Sequence, residues 1–360
     1  MTALVPPPAG RRWPVAVLGA TGAVGQTFVR LLAAHPWFEL VEVAASERSA
    51  GRRYAEAVRW LEGTMPDAVA GLEVLRCDPA AVRAPLVFSA LDAAVAGDVE
   101  LAFARAGRIV LSNAKNFRMD DDVPLLIPEV NASHVAVLAR QRRERGWSGA
   151  LVTNANCAAT VAAVALAPLH EAFILERAFL VTMQAVSGAG YPGVPSLDIL
   201  GNVIPFIADE EPKIERELPK LLGRCEGDAL VAARFAVSAQ ANRVAVEHGH
   251  TVCISAGFRR APSPADAIAA YADWRGGAEV QGLPSAPELP VVVHPDGARP
   301  QPRRDVNAGG GMQVTVGRVR PDPILHLRLV ALGHNTVRGA AGGSVLNAEL
   351  LAARGLLPPP

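Results

Sequence analysis

The chain has 360 residues, half of them hydrophobic, and carries 35 Lys+Arg against 35 Asp+Glu, a formal net charge of zero. That length exceeds the common size of one compact core and points to two domains of an ordinary soluble globular protein. Balanced charge, with no basic run interleaved with aromatics, argues against nucleic acid or membrane partners and for metabolite-scale chemistry.

The N-terminus Met1–Arg12 places prolines where a signal peptide would have its apolar stretch, and reads as a disordered tail. No apolar run approaches the roughly 20 residues that a membrane span needs. Trp13–Leu18 reads as a short buried strand running into Gly19-Ala-Thr-Gly22-Ala-Val-Gly25, after which Gln26–Ala34 has helical periodicity. Glycines at such a turn let the backbone approach a pyrophosphate, whose charge the helix N-terminus meets; the alternative is a tight turn with no ligand. Phe38–Ala45 is the second strand, and just past it, where an acidic residue would hold the ribose of NAD, stands Ser46-Glu47-Arg48-Ser49. Hydroxyls and a guanidinium suit a 2′-phosphate, so the expected cofactor is NADP, although Glu47 would repel a phosphate if it pointed inward. The candidate cofactor contacts here are Gly19, Thr21, Gly22, Ala23, Val24, Ser46, Arg48 and Ser49.

Leu86–Ala90 and Ile109–Ser112 are further buried strands, with a helix at Val95–Ala106 between them. Such alternation predicts an α/β, Rossmann-like doubly wound parallel sheet. Asn113–Asp122 is a polar loop whose Arg118 is a solvated charge or an anion ligand, with residue type alone favouring the solvated charge. The first domain is expected to span 1–150.

From Leu151 the chain then reads as strand, tight turn and helix: Val152 and Thr153 favour the strand, Asn154 and Asn156 suit the turn and cap, and Cys157 stands at or near the first turn of an alanine-rich helix. A thiol placed there feels the positive end of the helix dipole, which favours thiolate; a small buried apolar residue is the alternative. Cys77, Cys157, Cys225 and Cys253 are far apart and form no C-x-x-C pair, so neither a metal site nor a disulfide framework is expected, and a reduced cytoplasmic setting fits. Ala178–Gln184 is a strand followed by the glycine-rich loop Ala185–Gly193. Glu210–Leu222 is a charged helix that, by itself, reads as a solvated face. Phe235–Gln240 and Thr251–Ser255 are strand-like, with His248 and His250 at the entrance of the second, where a histidine is more often structural. The Pro/Gly-rich segment Gly276–Gly311 is a long irregular connection with a short strand at Val291–Val293, serving as an oligomer contact or a lid. Met312–Arg320 and Ile324–Val330 alternate as two antiparallel strands, so the second, α+β domain, 151–334, should carry a mixed sheet. The C-terminal helix, within 335–360, is expected to join the first domain.

Taken together, Gly19–Gly25, Ser112–Arg118, Pro124–Asn131, Asn154-Ala-Asn-Cys157, Gln184–Gly193, Asn242-Arg-Val244 and His334–Gly339 resemble the aspartate-semialdehyde dehydrogenase family, in its archaeal and fungal branch, over nearly the whole chain. The resemblance implies Cys157 as nucleophile, His250 as acid/base, Arg243 on the substrate carboxylate and Glu210 on its amine. It implies Lys213 and Arg118 on phosphate, Gln184 and Asn156 beside the reacting centre, and Ser187, Gly188 and Asn335 on the cofactor. The steps from Arg243 to His250 and from Glu210 to Lys213 match the family and favour His250 over His248. Ala155 departs from it, since proline often precedes the Asn-Cys pair there. A homodimer or homotetramer is the expected assembly.

The implied reaction joins these parts. The Cys157 thiolate attacks the aldehyde, oxidation leaves a thioester, and phosphate releases an acyl phosphate. A paralogue using malonyl-CoA or N-acetyl-glutamyl phosphate shares that chemistry, with Glu210 favouring an amine-bearing substrate. A non-catalytic NADP-binding regulator would have little reason to keep cysteine, histidine and both cations.

Overall fold

The computed structural model describes residues 11–360, so most of the segment read as a disordered tail lies outside the described residues. Seven strands, β1 (Trp13–Leu18), β2 (Phe38–Ala45), β3 (Val74–Arg76), β4 (Leu86–Ser89), β5 (Ile109–Ser112), β6 (Leu125–Leu126) and β7 (Ala150–Asn154), form one sheet. Their order is β3-β2-β1-β4-β5-β7-β6, and every neighbouring pair is parallel. Strands covered on both faces read as unbroken apolar runs, and β4 (Leu-Val-Phe-Ser) and β5 (Ile-Val-Leu-Ser) are buried at every position. The sheet runs through Asn154, and the cysteine helix follows at once.

β8 (Leu175–Gln184) begins the second sheet. A small hairpin, β9 (Arg224–Glu226) and β10 (Ala229–Val231), stands apart from it. β11 (Ala236–Arg243), β12 (His250–Phe258), β13 (Val291–His294), β14 (Val314–Pro321) and β15 (Leu327–Gly333) complete it in the order β11-β8-β12-β15-β14-β13. The outer pairs β11–β8 and β14–β13 are parallel and the inner ones antiparallel, so the sheet is mixed, as expected. The helix Cys157–Phe173 packs on one face, with Val161, Val164 and Leu166 in a core that includes Leu180, Val252 and Ala331.

Two connections tie the units together. The helix Gly342–Ala353 brings Val345, Leu346, Leu350 and Leu351 into the core that holds Phe28 and Phe88 under the first sheet. The Pro/Gly-rich segment enters the same core through Val280 and Leu283, and Ser285 donates its backbone N–H to the buried Glu349 carboxylate of that helix at 3.0 Å. This part is a packed strap, anchored by two buried apolar side chains.

Candidate active site

Cys157 is the first residue of its helix, directly behind the C-terminal end of β7. Asn156 is the N-cap; its Oδ1 accepts from the backbone N–H groups of Ala158 and Ala159, both at 2.9 Å. The sulfur lies 3.1 Å from His250 Nε2. The expected preference for thiolate is overturned in the resting structure. Burial first, and the Glu210 carboxylate second, hold the thiol above its ordinary value, outweighing Arg118, the Ala158 N–H and Arg243. A helix terminus offers partial charges, and here desolvation is the larger effect.

His250 opens β12 and is wholly buried. Burial, then the neighbouring Arg243 charge, push it down to about 3, so the ring is neutral at any physiological pH. Its Nδ1 accepts from the Ala185 backbone N–H at 3.2 Å, which puts the neutral ring's proton on Nε2, facing the sulfur. Arg243, at the end of β11, is buried and donates from Nη1 to the Ala185 carbonyl at 2.8 Å. A Cβ on Gly188 would meet Arg243 Nη1 at 2.9 Å and His250 Cε1 at 3.1 Å, so a side chain there would push on both site residues. Asn335 accepts from Gly249 N–H and donates to Ser187 Oγ, both at 2.8 Å, pinning that loop beside the histidine.

The helix Glu210–Leu221 is not the solvated face its charges suggest, because Glu210, Glu217 and Lys220 are buried. Glu210 Oε1 accepts from Asn156 Nδ2 at 2.8 Å and Gln184 Nε2 at 3.0 Å, and its Oε2 lies 3.5 Å from Lys213 Nζ. Glu217 accepts from the Asn156 backbone N–H at 2.6 Å and from Arg118 Nη1 at 2.9 Å. Arg118 is therefore buried and paired, against its reading as a solvated charge. With Lys115, Lys213 and Arg216 it lines a cavity of about 160 Å³ dominated by cations.

A cavity of about 600 Å³ lies at the C-terminal ends of β1, β2 and β4, lined by Gly19, Thr21, Gly22, Ser46, Glu47 and Arg48 among others. β1 and β4 are neighbours, so this is the crevice where the strand order reverses. Gly19 has φ +72°, and a Cβ on Gly25 would meet the Gly19 carbonyl oxygen at 2.1 Å; only glycine closes this turn. Ala23 and Val24 begin the helix Ala23–Leu32 behind it, and Ser49 sits in a turn, donating its N–H to the Ser46 carbonyl at 2.9 Å. The shape and the donor set fit a dinucleotide, with Arg48 and the adjoining Arg76 as cations at its rim. Among the described residues no group of three or more His, Cys, Asp or Glu could hold a metal ion.

Sequence reasoning missed Glu217, Gly339 and Arg76. Glu217 had a signal: it stands two helical turns after Glu210, on the same face. Gly339 did not. Its missing side chain lets the π-helical turn Val337–Ala341 press on the nucleophile position, where a Cβ would come within 2.6 Å of Cys157 Cβ.

The profile of the semialdehyde dehydrogenase NAD binding domain matches residues 14–138, and that of the semialdehyde dehydrogenase dimerisation domain matches 166–338. Aspartate-semialdehyde dehydrogenase of Archaeoglobus fulgidus is 48% identical over 341 residues, covering 94% of this chain and 98% of that protein. The Cryptococcus neoformans aspartate-semialdehyde dehydrogenase is 47% identical, covering 95% and 98%. A crystal structure of the Candida albicans aspartate semialdehyde dehydrogenase with NADP superposes with a TM-score of 0.88 at 40% identity, covering 96% of this chain and all of that one. The glycine-closed crevice, the capped cysteine and these relatives lead to one conclusion: the chain belongs to the aspartate-semialdehyde dehydrogenase family, in its archaeal and fungal branch.

Proposed function

We propose that this chain is an NADP-dependent aspartate-semialdehyde dehydrogenase. It interconverts aspartate semialdehyde plus phosphate with aspartyl phosphate through a thioester on Cys157, in the biosynthesis of lysine, threonine and methionine. The observation that carries this reading is the 3.1 Å contact between Cys157 Sγ and His250 Nε2 at the head of a capped helix.

Cys157 Sγ is the atom that adds to the carbonyl carbon and holds the acyl group. His250 Nε2–H faces first the sulfur and then the carbonyl oxygen of the adduct, where a positioned donor stabilises developing charge. Arg243 has donors left for the substrate carboxylate. Glu210, oriented by Asn156 and Gln184, meets the substrate amine; that ammonium would offset the carboxylate that raises the thiol, so the substrate itself favours ionisation of the sulfur, whose proton leaves to solvent because His250 Nε2 already carries one. Arg118 and Lys213 hold phosphate. NADP, bound by Gly19, Thr21, Gly22, Ala23, Val24, Ser46, Arg48 and Ser49, with Ser187, Gly188 and Asn335 towards its nicotinamide, supplies a hydride acceptor or donor.

On this reading residues 1–150 and 335–360 bind NADP, and 151–334 carry the chemistry and the subunit contacts. A homodimer, or a tetramer built from it, is supported by apolar side chains left uncovered on the outer face of the second sheet and beside it: Phe179 is 40% exposed, Phe206 65% and Leu197 91%. A cytoplasmic setting is supported by four free cysteines; no helix among the described residues is long and apolar enough to cross a membrane.

The deciding assay is NADP⁺ reduction with aspartate semialdehyde, with and without phosphate. Turnover that depends on phosphate is expected. Activity on malonyl-CoA with none on aspartate semialdehyde would replace this reading with its paralogue. Arg48→Ala is expected to weaken NADP⁺ by about ten- to a hundredfold, the loss of a charge-assisted contact, and to leave NAD⁺ nearly unchanged. Equal losses in cofactor titrations would move Arg48 away from the 2′-phosphate. Glu210→Gln should lower kcat/KM for aspartate semialdehyde by about ten- to a hundredfold and that for malonate semialdehyde, which lacks the amine, by little. Parallel losses on the two substrates would make Glu210 structural.

A further inference from the structure

A helix cap has two halves. The N-cap side chain takes the N–H groups of the second and third helical residues, and a glutamate or glutamine at the third position reaches back to the N-cap's own N–H. The Cys157 helix has the first half in Asn156, but its third position is Ala159, which has nothing to reach with. The missing carboxylate comes from another helix: Glu217 Oε2 accepts the Asn156 backbone N–H at 2.6 Å. Its other oxygen, Oε1, accepts from Arg118 Nη1 at 2.9 Å, and Glu217 is only 2% exposed. One turn further on, Lys220 Nζ donates to the backbone carbonyls of Arg118, Asp120 and Val123 at 2.7 to 2.9 Å, so the loop is held by its main chain as well.

We propose that Glu217 is a positioning residue of the reaction. Its carboxylate caps the helix that carries the nucleophile and clamps the guanidinium that lines the anion cavity, fixing the spacing between sulfur and phosphate. The division between helices has a chemical reason. A glutamate at position 159 would place an unpaired negative charge within the same first turn as the sulfur and hold the thiol still higher, whereas the charge of Glu217 arrives already paired with Arg118. This rests on the reading of Cys157 as nucleophile and Arg118 as phosphate ligand.

The test compares wild type with Glu217→Gln, Glu217→Asp, Arg118→Met and the Glu217→Gln/Arg118→Met double variant. It reads KM for phosphate and for NADP⁺, kcat, the rate of Cys157 alkylation by iodoacetamide against pH, and melting temperature. Glutamine keeps an oxygen for Asn156 but turns an amide N–H₂ on Arg118, so KM for phosphate should rise about tenfold or more with KM for NADP⁺ unchanged. The double variant should be no worse than Arg118→Met alone, since the two act through one contact. Aspartate, which keeps the charge at shorter reach, should fall between. A phosphate KM within about twofold of wild type in Glu217→Gln, or losses that multiply in the double variant, would overturn the proposal. If the glutamine variant does not fold, Glu217→Asp carries the same test, and an unchanged phosphate KM there overturns it. A wild-type enzyme without phosphate-dependent turnover would instead sink the functional reading beneath it.

Discussion

Cys157→Ala is expected to lose turnover by at least a factor on the order of 10⁴ while binding NADP as the wild type does. The nucleophile sits behind β7, and the dinucleotide crevice is built from the turns after β1, β2 and β4, so removing one sulfur leaves that crevice intact. Cys157→Ser should recover little, because its hydroxyl ionises far less readily than a thiol. Steady-state NADP⁺ reduction with a parallel cofactor titration checks both; an alanine variant at wild-type rate would return Cys157 to the core. The pH dependence follows from the same site. The thiol lies above its ordinary value and His250 is neutral from about pH 3 upward, so kcat/KM should climb with pH across roughly 6 to 9 without a histidine inflection.

His250→Asn is expected to lower kcat by about 10²- to 10⁴-fold, the usual worth of a positioned proton donor. It carries a second signature in stability. The folded-state value of His250 lies below the unfolded value of about 6.5, so the unfolded chain takes up the proton first. Its contribution is fully present above about pH 6.5 and is lost as pH falls towards 3. His134 and His334, each lowered by burial to about 4, act in the same sense. Melting temperature should therefore drop on acidification from pH 7 to 4, less steeply in His250→Asn; equal slopes in the two proteins would show that the ring is not held neutral.

The parallel sheet was legible because burial on both faces writes itself as unbroken apolar runs at Leu86–Ser89 and Ile109–Ser112, and the crevice because Gly19 and Gly25 have local steric duties. Asn156 and Cys157 were legible as cap and helix start. What stayed hidden depends on partners distant in sequence. Arg118 and the charged helix look solvated until Glu217 is seen between Arg118 and Asn156, and no local pattern states that three such residues meet. The ionisation of Cys157 was misjudged for a related reason. The helix terminus is visible in sequence, whereas the burial and the Glu210 charge that outweigh it come from tertiary packing.

The helix Gly342–Ala353 forms one wall of the core that also contains Val15, Phe28 and Phe88. During synthesis the strands of the first sheet leave the ribosome long before that wall exists, so they wait with an apolar face uncovered while the whole second sheet is made. The N-terminal unit thus completes its core out of the usual N-to-C order. That core closes only once residues 342–353 have been made, so the order of synthesis and the order of packing run against each other.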